Sequence, residues 1–143
     1  MAIAISGGST SFTSTISASP SANRTVTVPD ATFTVAASDA VQTFSASQRG
    51  TVTTDNDGSF DMNVTNNFKC TPTGSFTLTF TNITAGQSGF ILLVNGSNYT
   101  VSAHANTKVA TGALAAMSAT GTYLLSYFSD GTNVFVVNSG ALA

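Results

Sequence analysis

The chain reads as an all-β protein: an antiparallel, jelly-roll-like β-sandwich preceded by an extended N-terminal arm. Three observations predict this. Apolar and polar residues alternate with period two in several short runs, Gly, Asn and Asp stand between the runs, and sustained helical periodicity is nearly absent. Short strands spaced by turns are the pattern of sandwiches and jelly rolls. The expected boundaries are residues 1–22 for the arm and 23–143 for the sandwich domain.

Met1 to Ala22 is rich in Gly, Ser, Thr and Ala, with Ile3, Ile5, Phe12 and Ile16 as sparse apolar anchors. Such a segment lacks the apolar density to fold alone and is expected to order against something else. From Ser59 to Thr65, Phe60, Met62 and Val64 alternate inward. Asn66-Asn67 then suits a tight turn, and Phe68 and Cys70 resume the alternation on a returning strand. From Ser75 to Ile83 the pattern is cleanest, with Phe76, Leu78 and Phe80 on one face and Ser75, Thr77, Thr79 and Thr81 on the other. Phe90 to Val94 is a continuous apolar run, and Asn95-Gly96 before Tyr99, Val101 and Ala103 signals a second hairpin. Thr107 to Ala119 has room for a helical turn, yet Gly112 and the small polar residues predict a loop. Tyr123 to Phe128 and Val134 to Val137, joined across Ser129-Asp130-Gly131-Thr132, form a third hairpin.

Composition excludes several function classes. The 143 residues contain ten charged side chains, no glutamate, one histidine and one cysteine. General acid–base catalysis needs titratable groups perturbed by neighbours, and few are present, so an enzyme is not expected. A glycosidase would need paired carboxylates, whereas Asp30, Asp39, Asp55, Asp57, Asp61 and Asp130 fall mostly in turns without an evident partner. Arg24, Arg49, Lys69 and Lys108 are the only cations in a chain of net charge −2. They make no basic stripe, which argues against nucleic acid and anionic membrane as partners. The opening Met-Ala-Ile-Ala-Ile-Ser lacks the charged flank and apolar core of a secretory signal, and no apolar run approaches transmembrane length. The chain is therefore expected to be made in a cytoplasm, and its Asn-x-Ser/Thr matches at Asn23, Asn63, Asn82, Asn95 and Asn98 to carry no glycan.

Several segments carry a resemblance. Val41-Gln-Thr-Phe-Ser-Ala-Ser-Gln-Arg-Gly50, Thr51-Val-Thr-Thr-Asp-Asn-Asp-Gly58, Asn66-Asn-Phe68 and Leu78 to Ile91 resemble a β-rich module of virion proteins in marine tailed bacteriophages. Ala22-Asn-Arg-Thr-Val-Thr-Val-Pro-Asp-Ala31 is similar to a pattern frequent in phage fibre and appendage proteins. The resemblance spans about residues 20 to 142, and the chain departs from longer members in lacking the Trp-containing strand after Asn95-Gly96. It implies a bacteriophage virion structural protein, found in the assembled virion and put together in the host bacterial cytoplasm. The size of one sandwich plus one arm favours a capsid decoration protein outside the head over a complete tail fibre. A tail-fibre or receptor-binding module adhering to the host surface, with a host glycan as its ligand, is the alternative. The expected partners are the major capsid protein or other virion proteins. A homotrimer is expected because the strand edges carry few of the lysines or prolines that discourage pairing.

No catalytic, cofactor-binding or metal-binding residue is assigned, although four features could carry chemistry. Asp55-Asn-Asp57-Gly-Ser59, with Asp61 beyond, resembles the start of a calcium loop. Asn66 stands where the closing Glu belongs, which favours a plain turn over a weak cation site. His104 has no second His or Cys nearby and reads as a solvated loop residue. Cys70 follows the inward parity of Phe68 and reads as an inert buried thiol. Tyr99, Tyr123 and Tyr127 could stack on a sugar, but their spacing suits packing in a core or subunit interface.

Overall fold

The computed structural model describes residues 47–143, so the expected arm at residues 1–22 and the first part of the expected sandwich domain lie outside the described residues. Among the described residues, nine strands and one short helix follow in order: β1 (Val52–Thr54), β2 (Ser59–Asp61), β3 (Asn67–Cys70), β4 (Phe76–Thr81), β5 (Ser88–Asn95), β6 (Val101–Ala103), β7 (Thr107–Val109), α1 (Ala113–Met117), β8 (Gly121–Ser129) and β9 (Val134–Leu142).

These elements form a β-solenoid of about three turns, and not an antiparallel jelly-roll sandwich. The chain steps alternately between two sheets, so β1, β3 and β5 stack in parallel in one while β2, β4 and β6 stack in parallel in the other. Each coil is thus one strand from each sheet joined by a corner. Thr53 pairs with Phe68 and Phe68 with Ile91; in the smaller sheet Phe60 pairs with Phe80 and Leu78 with Ala103. After the third coil the winding stops. β8 runs antiparallel to β5, β9 antiparallel to β8, and β7 parallel to β9, so that the larger sheet has the order β1-β3-β5-β8-β9-β7.

The alternating side chains acquire their inner face from this winding. Phe60, Phe68, Leu78, Phe80, Ile91, Leu93, Val101, Tyr123, Leu125, Tyr127, Val134 and Val136 all turn into the space between the sheets. At its centre Phe60 touches Phe68 and Phe80 at ring-centroid distances of 5.0 and 5.7 Å, and Phe80 touches Tyr127 at 5.1 Å. These tilted contacts are the arrangement aromatic quadrupoles favour. Coil packing is tight where Gly89 lies, for a Cβ there would sit 1.7 Å from the Asn66 carbonyl oxygen. That carbonyl accepts hydrogen bonds from the Phe90 amide (3.0 Å) and the Tyr127 hydroxyl (2.9 Å), tying the residue before β3 to β5 and to β8 beyond it.

Several local expectations hold. Leu78 and Phe80 are buried on β4 with Phe76 packed against the same core, and β8 and β9 pair antiparallel across Ser129-Asp130-Gly131-Thr132. Two of the three hairpins do not. β2 and β3 lie in different sheets, as do β5 and β6, so Asn66-Asn67 and Asn95-Gly96 mark corners of the solenoid. At the first corner Met62 is buried, whereas Val64, expected inward, is 59% exposed. At the second, the buried Asn95 amide donates to the carbonyls of Tyr99 (2.8 Å) and Met117 (3.0 Å). Its oxygen accepts from the amides of Ser97 and Tyr99. A turn residue in sequence is therefore a polar anchor in the structure. The segment expected as a loop, Thr107 to Ala119, contains β7 and α1. Gly112, at φ 84°, takes the left-handed conformation that starts the helix, and Ala113 and Met117 bury one side of it. The Tyr123 hydroxyl donates to the carbonyls of Ala116 and Ala119 at the other end.

Candidate functional site

Burying one face of the larger sheet leaves the other facing out, and that outer face is not polar. Val52 on β1, Phe90 and Leu92 on β5, Leu124 and Phe128 on β8, and Phe135 and Val137 on β9 are all at least 36% exposed. Register makes them neighbours. Leu92 pairs with Leu124 and Phe128 with Phe135, while the row Val52, Asn67, Phe90, Ser126 and Val137 crosses five adjacent strands. Between Val52, Phe90, Leu92 and Leu124 runs a shallow apolar groove of about 390 Å³, with Lys69 at its margin. Lys108, paired with Phe135, flanks the face on the far edge strand. No carboxylate lies in these rows.

The continuous run Phe90 to Val94 is where sequence could have shown this. A strand with one buried face needs apolar residues only at alternate positions, and here Ile91 and Leu93 fill the core while Phe90 and Leu92 are left outside. Tyr123 to Phe128 repeats the signal: Tyr123, Leu125 and Tyr127 are buried, and Leu124 and Phe128 are exposed.

The four chemical candidates fall elsewhere and do not come together into a reacting site. Asp55 accepts a hydrogen bond from the Asp57 amide (3.3 Å), and Asp57 from the Ser59 amide (2.8 Å). The carboxylates thus turn their own backbone, as Asx turns do. Partial burial, followed by the Asp57 carboxylate beside it, raises the Asp55 pKa. The Asn82 side chain and the Asn63 amide donate to Asp61 and lower its pKa. Among the described residues no three His, Cys, Asp or Glu side chains converge as metal ligands would. His104 is exposed, its Nδ1 accepting from the Asn106 amide at 3.3 Å. Cys70 is fully buried, and burial, with the Asp55 and Asp57 charges adding, pushes its thiol up to about 12, the opposite of what a nucleophile needs. Tyr123 and Tyr127 are core residues whose hydroxyls bond backbone carbonyls, and only Tyr99 is partly exposed, so no flat tyrosine platform exists. Among the described residues no helix is long and apolar enough to cross a membrane. Comparison with known proteins finds no matching family model, curated protein or solved structure.

Proposed function

We propose that this chain is a non-catalytic structural protein of a bacteriophage virion. What carries the reading is the outer sheet face: seven large apolar side chains point outward, while among the described residues Asp55 and Asp57 are spent on turns and Cys70 is buried. A surface of that kind serves binding, since contiguous exposed apolar area on a folded protein marks an interaction site. The virion assignment itself rests on the resemblance of Ala22 to Ala31, Val41 to Gly58, Asn66 to Phe68 and Leu78 to Ile91 to phage virion, appendage and fibre modules.

Two positions on the particle fit such a protein, on the outside of the head as a decoration protein against the major capsid protein, or in a tail fibre or receptor-binding appendage. The solenoid favours the second. One closed sandwich would be too small for a fibre, whereas coils stacked in parallel add length along one axis by simple repetition. The test is quantitative mass spectrometry of purified phage particles carrying the encoding genome, with the major capsid protein as the internal count. Tens of copies or fewer place the chain in the tail. Hundreds place it on the head, and its absence from particles overturns the virion reading altogether.

A further inference from the structure

We infer that the outer face of the larger sheet is the surface through which copies of this chain bind one another. The occupant has to match three properties of the face. Seven side chains, Val52, Phe90, Leu92, Leu124, Phe128, Phe135 and Val137, are between 36% and 62% exposed. Together they expose on the order of 600 Å², at the top of the range of the largest patch of an ordinary monomer (about 300–600 Å²) and approaching the ~800 Å² that each partner contributes to a standard stable interface. One such face against another, with the side chains between them, therefore approaches the area a lasting complex needs.

Chemistry selects the same occupant. The rows of the face carry Lys69 and Lys108 but no acid, so an acidic partner would leave its own charges against phenylalanine and leucine. A flat sheet is instead matched by another sheet face whose side chains interdigitate across about 10 Å. The surface of that description on the page is this face itself. Of the other large apolar side chains exposed among the described residues, Val64 stands at a corner and Leu142 near the end of β9, and neither adds a second face. The two lysines do not oppose self-pairing. Lys69 lies on β3 in the row of Leu92 and Leu124, and Lys108 on the opposite edge of the sheet in the row of Phe128 and Phe135. A second copy turned about an axis parallel to the strands brings each lysine over the far side of its own row, so the like charges stay apart.

Light scattering on the purified full chain, over about 1 to 100 µM, tests the inference without any phage particle. A mass of two chains carries it; a mass of one chain throughout overturns it, and so does a mass of three, which one face paired with its own copy cannot close. The double variant Phe90→Lys with Phe128→Lys, at solvent-exposed positions of β5 and β8, is expected to run as one chain with an unchanged circular dichroism spectrum. Should it lose its fold, Phe90→Ser with Val137→Ser adds no charge and asks the same question. A folded variant of either kind that stays associated refutes this face as the interface, whereas Val64→Lys, away from it, is expected to leave the mass unchanged. The outcome is separate from the virion reading: a monomer still found in particles overturns only the self-association, and an oligomer absent from particles overturns only the placement.

Discussion

Replacing Phe60 with alanine removes the ring at the centre of the core, and its comparison with Val64→Ala distinguishes a coil that turns a corner from a strand that runs straight. Both residues share the inward parity of the run from Ser59 to Thr65. In the structure β2 ends at Asp61, Phe60 is completely buried between Phe68 and Phe80, and Val64 is 59% exposed beyond the corner. Truncating a buried phenylalanine costs about 3–5 kcal/mol in lost transfer and cavity energy. Two aromatic contacts worth about 0.5–1.5 kcal/mol each place Phe60→Ala near the upper end of that range. Taking about 5 kcal/mol and an unfolding entropy of about 2.1 cal/mol/K per residue, a folding unit the size of the described segment loses on the order of 25 °C in Tm. Val64→Ala, with little contact to lose, is expected within about 0.5 kcal/mol of the parent. Urea titration and thermal melts of the full chain, followed by far-ultraviolet circular dichroism, give both numbers. Comparable losses from the two substitutions would refute the corner and restore a continuous strand through Thr65.

Other expectations follow from the same geometry. Asn95→Ala strips four hydrogen bonds from a buried corner and leaves the carbonyls of Tyr99 and Met117 short of a donor, so a loss of about 2–4 kcal/mol is expected in urea unfolding. Cys70 should resist a thiol reagent such as dithionitrobenzoate at pH 8 until the chain is unfolded in denaturant; rapid labelling of the native protein would contradict its burial. Because burial raises the Cys70 pKa from 9.0 to about 12, its protonated form is favoured by folding. That contribution is whole below about pH 9 and is lost as the pH rises toward 12. Melting temperatures measured across this window should fall, and Cys70→Ala should fall less steeply; Tyr127, also raised to about 12 by burial, titrates in the same window and keeps a residual slope. Calcium at millimolar concentration should leave Tm within about 1 °C of the value in chelator, since Asp55 and Asp57 are committed to their own turns, whereas a rise of several degrees would reveal a cation site.

How much of this was legible in the sequence depends on the range of the interaction involved. The parity of β4 was, because alternation of Phe76, Leu78 and Phe80 with threonines depends only on the two-residue period of an extended chain. The β8–β9 hairpin was also legible, since four turn residues connect strands that pair directly. The candidate chemical groups were read correctly where burial follows from parity, as at Cys70. The apolar outer face is written in Phe90 to Val94 without being decided there, because a run of consecutive apolar residues does not say which side is covered.

What the sequence by itself determined is therefore that the chain forms short strands, where many of them turn, and that catalysis has few groups to work with. Only the tertiary structure decided which strands are neighbours. Asn66-Asn67 and Asn95-Gly96 are compatible with a hairpin and with a solenoid corner alike, and local backbone preference does not separate the two. The choice is made by parallel pairing between residues far apart in the chain. Those spacings are unequal, 15 and 23 residues between coils in one sheet and 20 and 25 in the other, so no fixed repeat announced the winding. Burial of Phe60, Phe68 and Phe80 in one cluster rewards the coil, and that reward exists only once the second coil is stacked on the first. The same closure sends Phe90, Leu92, Leu124 and Phe128 to the outside, where a one-residue shift of register would have hidden them and exposed the core.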